Sequence, residues 1–146
     1  KQAVAAGGGR NHRMGLWDRI LIKDNHEIVA GGVAPAIRSA LAGRPEGILV
    51  QAEVRTVAEV REALAAGAEA LLLDNMSPED VRESVAAVDA AAIRPRPLVE
   101  VSGGITLPTI RRYALPGVDV ISVGALTHSA GALDLALDFE PEGSPS

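Results

Sequence analysis

Five short apolar runs recur along this chain, most of them separated by stretches of helical periodicity, and this alternation limits the fold more than any other feature. The runs are Ile20–Lys23, Ile48–Val54, Ala70–Asp74, Leu98–Ser102 and Val118–Val123. They are rich in leucine or β-branched residues and apolar almost throughout, as buried strands of a parallel sheet are. One helix is predicted over Ala34–Ala42, closing at Gly43. A second is opened by Thr56 with Glu59 at capping-box spacing and ends at Gly67. A third starts at Ser77-Pro78 with Asp80 and runs to about Ala92. Further helices are expected from Thr106 to about Ala114 and over Ala130–Leu137. Parallel neighbours need a crossover helix, so the pattern predicts an α/β fold with a parallel sheet. It is either an open doubly wound sheet or part of a β/α barrel. A complete barrel takes roughly 250 residues. Five units in 146 residues therefore predict a partial one, with its site at the carboxyl ends of the strands.

Composition removes several alternatives. At 47% hydrophobic and 23% charged, the chain can build a core. No apolar run is long enough to span a membrane. The absence of cysteine excludes disulfides, thiol catalysis and cysteine-bound metal. A net charge of −5 with three aromatic residues, Trp17, Tyr113 and Phe139, argues against nucleic-acid binding. With no targeting signal, a cytoplasmic location is expected. Charge is uneven: residues 1–26 hold five cations and two carboxylates, a net +3, which leaves −8 for the rest. A cationic opening on an acidic chain predicts a local anion site. Arg94–Pro97 reads as a connection within the domain, and residues 140–146, rich in Pro, Gly and Ser, as a flexible tail. Trp17 is expected to pack its loop against the sheet.

Chemically useful residues gather where the apolar runs stop. Ser102-Gly103-Gly104-Ile105-Thr106 and Gly124-Ala125-Leu126-Thr127 follow the last two runs. Glycines let a phosphate approach the backbone, whose N–H groups point at it, and paired loops of this kind recur in barrels. The alternative is that the glycines serve only tight turns. Glu53 and Asp74 each end an apolar run, where a carboxylate is costly unless used or paired. They hold hydroxyls or a hard cation such as Mg²⁺, or else form ion pairs with Lys23 or an arginine. Lys23 is the only lysine after Lys1, against twelve arginines. It fits a Schiff-base nucleophile, a point charge for an anion, or a lysine at the sheet edge. Gly7-Gly8-Gly9-Arg10-Asn11-His12-Arg13 is glycine-rich and cationic but lacks a Walker ending. His12, His26 and His128 lack zinc spacing. His128 either caps the phosphate loop or merely lies in it.

Taken in order, five segments resemble the quinolinate phosphoribosyltransferase family, also called nicotinate-nucleotide pyrophosphorylases (carboxylating). They are Gly7–Leu16, Leu21-Ile22-Lys23-Asp24-Asn25-His26, Leu71–Met76, Val101-Ser102-Gly103-Gly104 and Ile121–Ser129. The resemblance runs from Lys1 to about Phe139 and implies the C-terminal part of a barrel, without the family's N-terminal domain. It implies phosphoribosyl transfer from 5-phosphoribosyl-1-diphosphate to quinolinate with decarboxylation, giving nicotinate mononucleotide in NAD biosynthesis. In that reading His12, Arg13 and Lys23 hold the quinolinate carboxylates, while Glu53 and Asp74 contact ribose hydroxyls or Mg²⁺. Lys23, Glu53 and Asp74 are the candidate catalytic residues. Ser102, Gly103, Gly104 and Gly124 receive the 5-phosphate. The resemblance also implies a homodimer whose neighbouring subunit completes the site, so these 146 residues alone are expected to be inactive. The competing readings are a Schiff-base aldolase or another phosphosugar barrel using Lys23, and a non-catalytic barrel remnant.

Overall fold

In the computed structural model, which describes residues 1–139, the alternation of apolar runs and helices becomes a five-stranded, wholly parallel sheet. The order is α1 (Gln2–Ala6), β1 (Arg19–Ile22), α2 (Asp24–Ala30), α3 (Val33–Gly43), β2 (Leu49–Val54), α4 (Val57–Ala65), β3 (Ala70–Asp74), α5 (Pro78–Ala90), β4 (Leu98–Ser102), a 3₁₀ turn at Ile110–Arg112, β5 (Val120–Ile121) and α6 (Ala125–His128).

The strands lie side by side in chain order, β1-β2-β3-β4-β5. That order separates the two candidate architectures. A doubly wound sheet reverses its strand order part-way and places helices on both faces. An unreversed order with crossovers of one hand keeps all helices on one face, as in a barrel. Side-chain alternation agrees. Ile22, Val50, Ala52, Val54, Leu71, Leu73, Val99 and Val101 join one apolar core with Ile37 of α3, Val60 and Ala63 of α4, and Val81 and Val88 of α5. Each fully buried aliphatic side chain contributes about 1.5–3 kcal/mol.

The opposite, inward face is read from the register. Leu21 lies beside Gln51, Glu53 beside Leu72, Leu72 beside Glu100, and Asp74 beside Ser102. Gln51 and Glu100 are almost inaccessible there, at 0% and 1% exposure. The partial barrel thus has an apolar outer face and a polar inner one.

Several expectations change. The first strand stops at Ile22, and Lys23 is the N-cap of α2, a helix the sequence reading lacks. The main chain of Lys23 and the ring of His26 form a reciprocal cap, Asp24 and Glu27 sit in the first turn, and Gly31 closes the helix at φ 83°. The helix expected from Thr106 to Ala114 is only the 3₁₀ turn. Leu107 and Pro108 lie in a turn whose Thr106 carbonyl accepts from the Thr109 and Ile110 N–H groups, and the Thr109 hydroxyl takes the Thr106 N–H. Ala130–Leu137 is not helical. Its large apolar residues fall at Leu133, Leu135 and Leu137, a period of two that would scatter them around a helix. All three are about four-fifths exposed, at 81%, 83% and 79%. The last helix is instead the single turn α6. Trp17 does not pack against the sheet. It is 75% exposed and lies over Gly15, where a Cβ would overlap its ring. The expected tail at 140–146 lies outside the described residues. No helix among the described residues is long and apolar enough to cross a membrane.

Candidate active site

The carboxyl ends of the five strands converge on two adjoining clefts. One, of about 350 Å³, is lined by His12, Arg13, Lys23, Glu53 and Asp74, with Glu100 at its floor. The other, of about 310 Å³, is lined by Gly103, Gly104, Thr106, Ala125 and His128. Ser102, Ser122 and Gly124 line both, so they form one continuous site. Every residue expected at the site from sequence lies in one cleft or the other.

The first cleft is organised by ion pairs. Lys23 Nζ donates to Glu53 Oε2 at 2.6 Å, and the Arg55 guanidinium takes the other Glu53 oxygen at 3.2 Å. Arg55 also reaches Asp24 at 3.4 Å and Asp74 at 3.8 Å. The Asn75 side-chain amide donates to Asp74 Oδ2 at 2.8 Å. Of the two roles open to Glu53 and Asp74, ion pairing is the one these contacts show. Asp24 is held below its usual range by the Asn25 backbone N–H first and then by Arg55. Asp24 in turn raises Arg55.

Deeper in the cleft, Glu100 ties three strands together. Gln51 Nε2 donates to its Oε2 at 2.8 Å, and the Ser122 hydroxyl donates to its Oε1. His12 Nε2 is 3.4 Å from Oε1, and Arg19 Nη1 is 3.6 Å from Oε2. Burial pushes the Glu100 carboxyl upward, but the contacts from His12, Ser122 and Gln51 outweigh it and leave it below 4.5. The sequence reading passed over Glu100, Gln51, Arg55 and Ser122. A visible signal existed for two of them, since Gln51 and Glu100 are single polar residues inside apolar strands.

In the second cleft Gly103 is required. Gly103 has φ 91°, and a Cβ there would lie 2.4 Å from the Asn75 side-chain oxygen. Asn75 itself adopts φ 55° and donates its backbone N–H to the Ser102 carbonyl at 3.0 Å, locking the β3 and β4 loops together. A Cβ on Gly124 would lie 2.8 Å from His128 Nε2. Among the described residues, the N–H groups of Gly103, Gly104 and Gly124 donate to no backbone or side-chain acceptor. Unpaired N–H groups of this kind make an anion cradle. His26 takes no part in either cleft; its Nδ1 accepts the Lys23 N–H at 2.9 Å.

The donor set does not make a ready metal centre. Among the described residues, no three His, Asp or Glu side chains are grouped to hold a cation. Both Glu53 oxygens are already paired with cations.

A one-sided, wholly parallel α/β sheet with two adjoining clefts at its strand ends defines a protein of the β/α-barrel class. The family model of the quinolinate phosphoribosyl transferase C-terminal domain matches residues 1–138, and the chain belongs to that family. It is 42% identical over 138 residues to a probable nicotinate-nucleotide pyrophosphorylase [carboxylating] of Bacillus subtilis, covering 94% of this chain and 46% of the relative. It is 44% identical over 141 residues to the Methanocaldococcus jannaschii protein of the same name, covering 95% and 50%. Among solved structures, NadC from Streptococcus pyogenes superposes with a TM-score of 0.80 at 42% identity, over 90% of this chain and 45% of that one. The chain thus spans about half the length of the relatives it matches.

Proposed function

We propose that this chain carries the catalytic face of an enzyme that transfers the phosphoribosyl group of 5-phosphoribosyl-1-diphosphate to quinolinate and decarboxylates the adduct. The products are nicotinate mononucleotide, CO₂ and diphosphate. The observation that carries this reading is the sharing of Ser102, Ser122 and Gly124 between the two clefts. A ligand with a phosphate at one end and a charged ring at the other spans them.

In this reading the 5-phosphate accepts from the Gly103, Gly104 and Gly124 N–H groups and from Ser102. Glu53 and Asp74 face the ribose hydroxyls and lower the energy of the positive charge that develops at C1 as diphosphate leaves. The pyridine nitrogen forms the new bond to C1 while the C1–O bond to diphosphate breaks. One ring carboxylate then departs as CO₂, and the electron pair left on the ring carbon takes a proton from water. His12, Arg13 and Lys23 hold the carboxylates. Lys23 is half exposed at 49%, so it can turn from Glu53 to a substrate carboxylate. Magnesium belongs to this reading with the diphosphate substrate, because it keeps its waters and meets one or two carboxylates plus phosphates. Glu53 and Asp74 would meet it directly or through water.

Charge balance supports a shared site in a homodimer. Arg13, Arg19, Lys23 and Arg55 are matched by Asp24, Glu53, Asp74 and Glu100 in and around the cleft. Two anionic substrates therefore need further cations, which in this reading the N-terminal domain of a neighbouring subunit supplies. The test joins this chain to the other half of the Bacillus subtilis relative and assays nicotinate mononucleotide from quinolinate. Turnover by the hybrid, and none by the 146-residue chain, is expected. A folded hybrid that consumes no quinolinate overturns the reading.

A further inference from the structure

Glu100 is a carboxylate in the middle of a parallel strand, at 1% exposure, and such burial is costly without a compensating cation. The bonds around it form a directed chain. Arg19 Nη1 donates to Gln51 Oε1 at 2.8 Å, which turns the Gln51 amide nitrogen toward Glu100 Oε2. Ser122 donates to Oε1 from the other side. Both carboxylate oxygens are thus engaged, Oε2 from β1 and β2 and Oε1 from the residue that follows β5.

Arg19 and His12 lie near it. Arg19 is engaged with Gln51 and does not line the cleft. His12 does line it. A carboxylate with its proton removed only accepts, so the imidazole nitrogen facing it must carry the hydrogen. That nitrogen is Nε2, and Nδ1 has no partner among the described residues. The loop carrying His12 is pinned from the far side by Lys1, whose Nζ donates to the Arg13 carbonyl at 2.6 Å, and by Asn11, which donates to the Lys1 carbonyl at 3.2 Å. The loop is therefore tethered at its backbone, while the ring meets Glu100 on one edge and is 30% exposed.

We propose that Glu100 is a positioning residue: it commits the Nε2–H edge of His12 to the sheet and leaves the Nδ1 edge for the bound acid, whose carboxylate that edge meets as a donor when the ring carries both hydrogens. This rests on the quinolinate reading for the identity of that acid. It does not rest on it for the orientation of the ring.

Nitrogen-15 NMR of the histidine rings in the 146-residue chain tests it. In the parent chain His12 is expected to carry its hydrogen at Nε2. In Glu100→Gln that signature is lost, because the amide no longer demands a donor. Millimolar quinolinate is expected to move the Nδ1 signal of His12 in the parent and not in E100Q. Inorganic phosphate should move the Gly103 and Gly124 amides equally in both, which establishes that the variant is folded. An Nε2 without hydrogen in the parent, or a ring state unchanged in folded E100Q, overturns the proposal. Should E100Q fail to fold, the ring state of the parent decides alone. If the Nε2–H signature is present and lost in E100Q, yet quinolinate moves nothing, the positioning role stands and the quinolinate reading fails.

Discussion

Lys23 Nζ and Glu53 Oε2 are 2.6 Å apart, and the same carboxylate is held on its other oxygen by Arg55. A lysine in such a pair is an ammonium, with no lone pair to attack a carbonyl. Borohydride reduction of this chain with dihydroxyacetone phosphate is therefore expected to leave Lys23 unlabelled by mass spectrometry. A covalent adduct at Lys23 would restore the aldolase reading.

Gly103 and Gly104 differ in what they tolerate. A Cβ at Gly103 meets Asn75 at 2.4 Å with φ at 91°, whereas at Gly104 the nearest atom is 4.0 Å away with φ at 58°. A left-handed non-glycine residue costs roughly 1–2 kcal/mol. Gly103→Ala should weaken binding of inorganic phosphate at least tenfold by calorimetry, and Gly104→Ala by clearly less. Equal losses would contradict the close approach to Asn75.

Glu100 ties stability to pH. Its carboxyl is held below 4.5 in the folded chain, so the folded state binds its proton less readily than the unfolded state does. The contribution is complete above pH 4.5 and is lost as pH falls through the depressed folded value. Urea unfolding of the parent should show this loss on acidification. Glu100→Gln should show a smaller loss over the same interval, and parallel profiles would remove Glu100 as a source.

Leu71 and Leu135 separate the packed and unpacked parts of the chain. Leu71 is fully buried, and Leu135 is 83% exposed. Leu71→Ala should cost about 2–5 kcal/mol in denaturant unfolding. Leu135→Ala should change stability by no more than about 0.5 kcal/mol. A large effect at Leu135 would mean that the segment is packed in solution.

The strands were legible because each is a nearly unbroken apolar run, and α4 and α5 because Thr56 and Ser77 cap them. The strand-end chemistry was legible for the same reason, since polar residues stand out where apolar runs stop. Other features were not visible in local pattern. The α2 helix has no oxygen-bearing cap residue, because its cap is built by the Lys23 main chain and the His26 ring. Glu100 acquires its meaning only from Gln51, Ser122 and His12, which lie 49, 22 and 88 positions away in the chain. The cationic opening also changed character. Folding brings Lys23 and Arg19 against Glu53 and Glu100, so the charge excess of residues 1–26 is largely spent inside the protein.

Because strand order equals chain order, every strand after the first finds its hydrogen-bonding neighbour among residues already synthesised. No strand waits for a distant segment. A growing chain can add one strand and helix at a time to an existing edge, keeping the average span of its contacts short. The ribosome therefore releases this sheet in the order in which it is built.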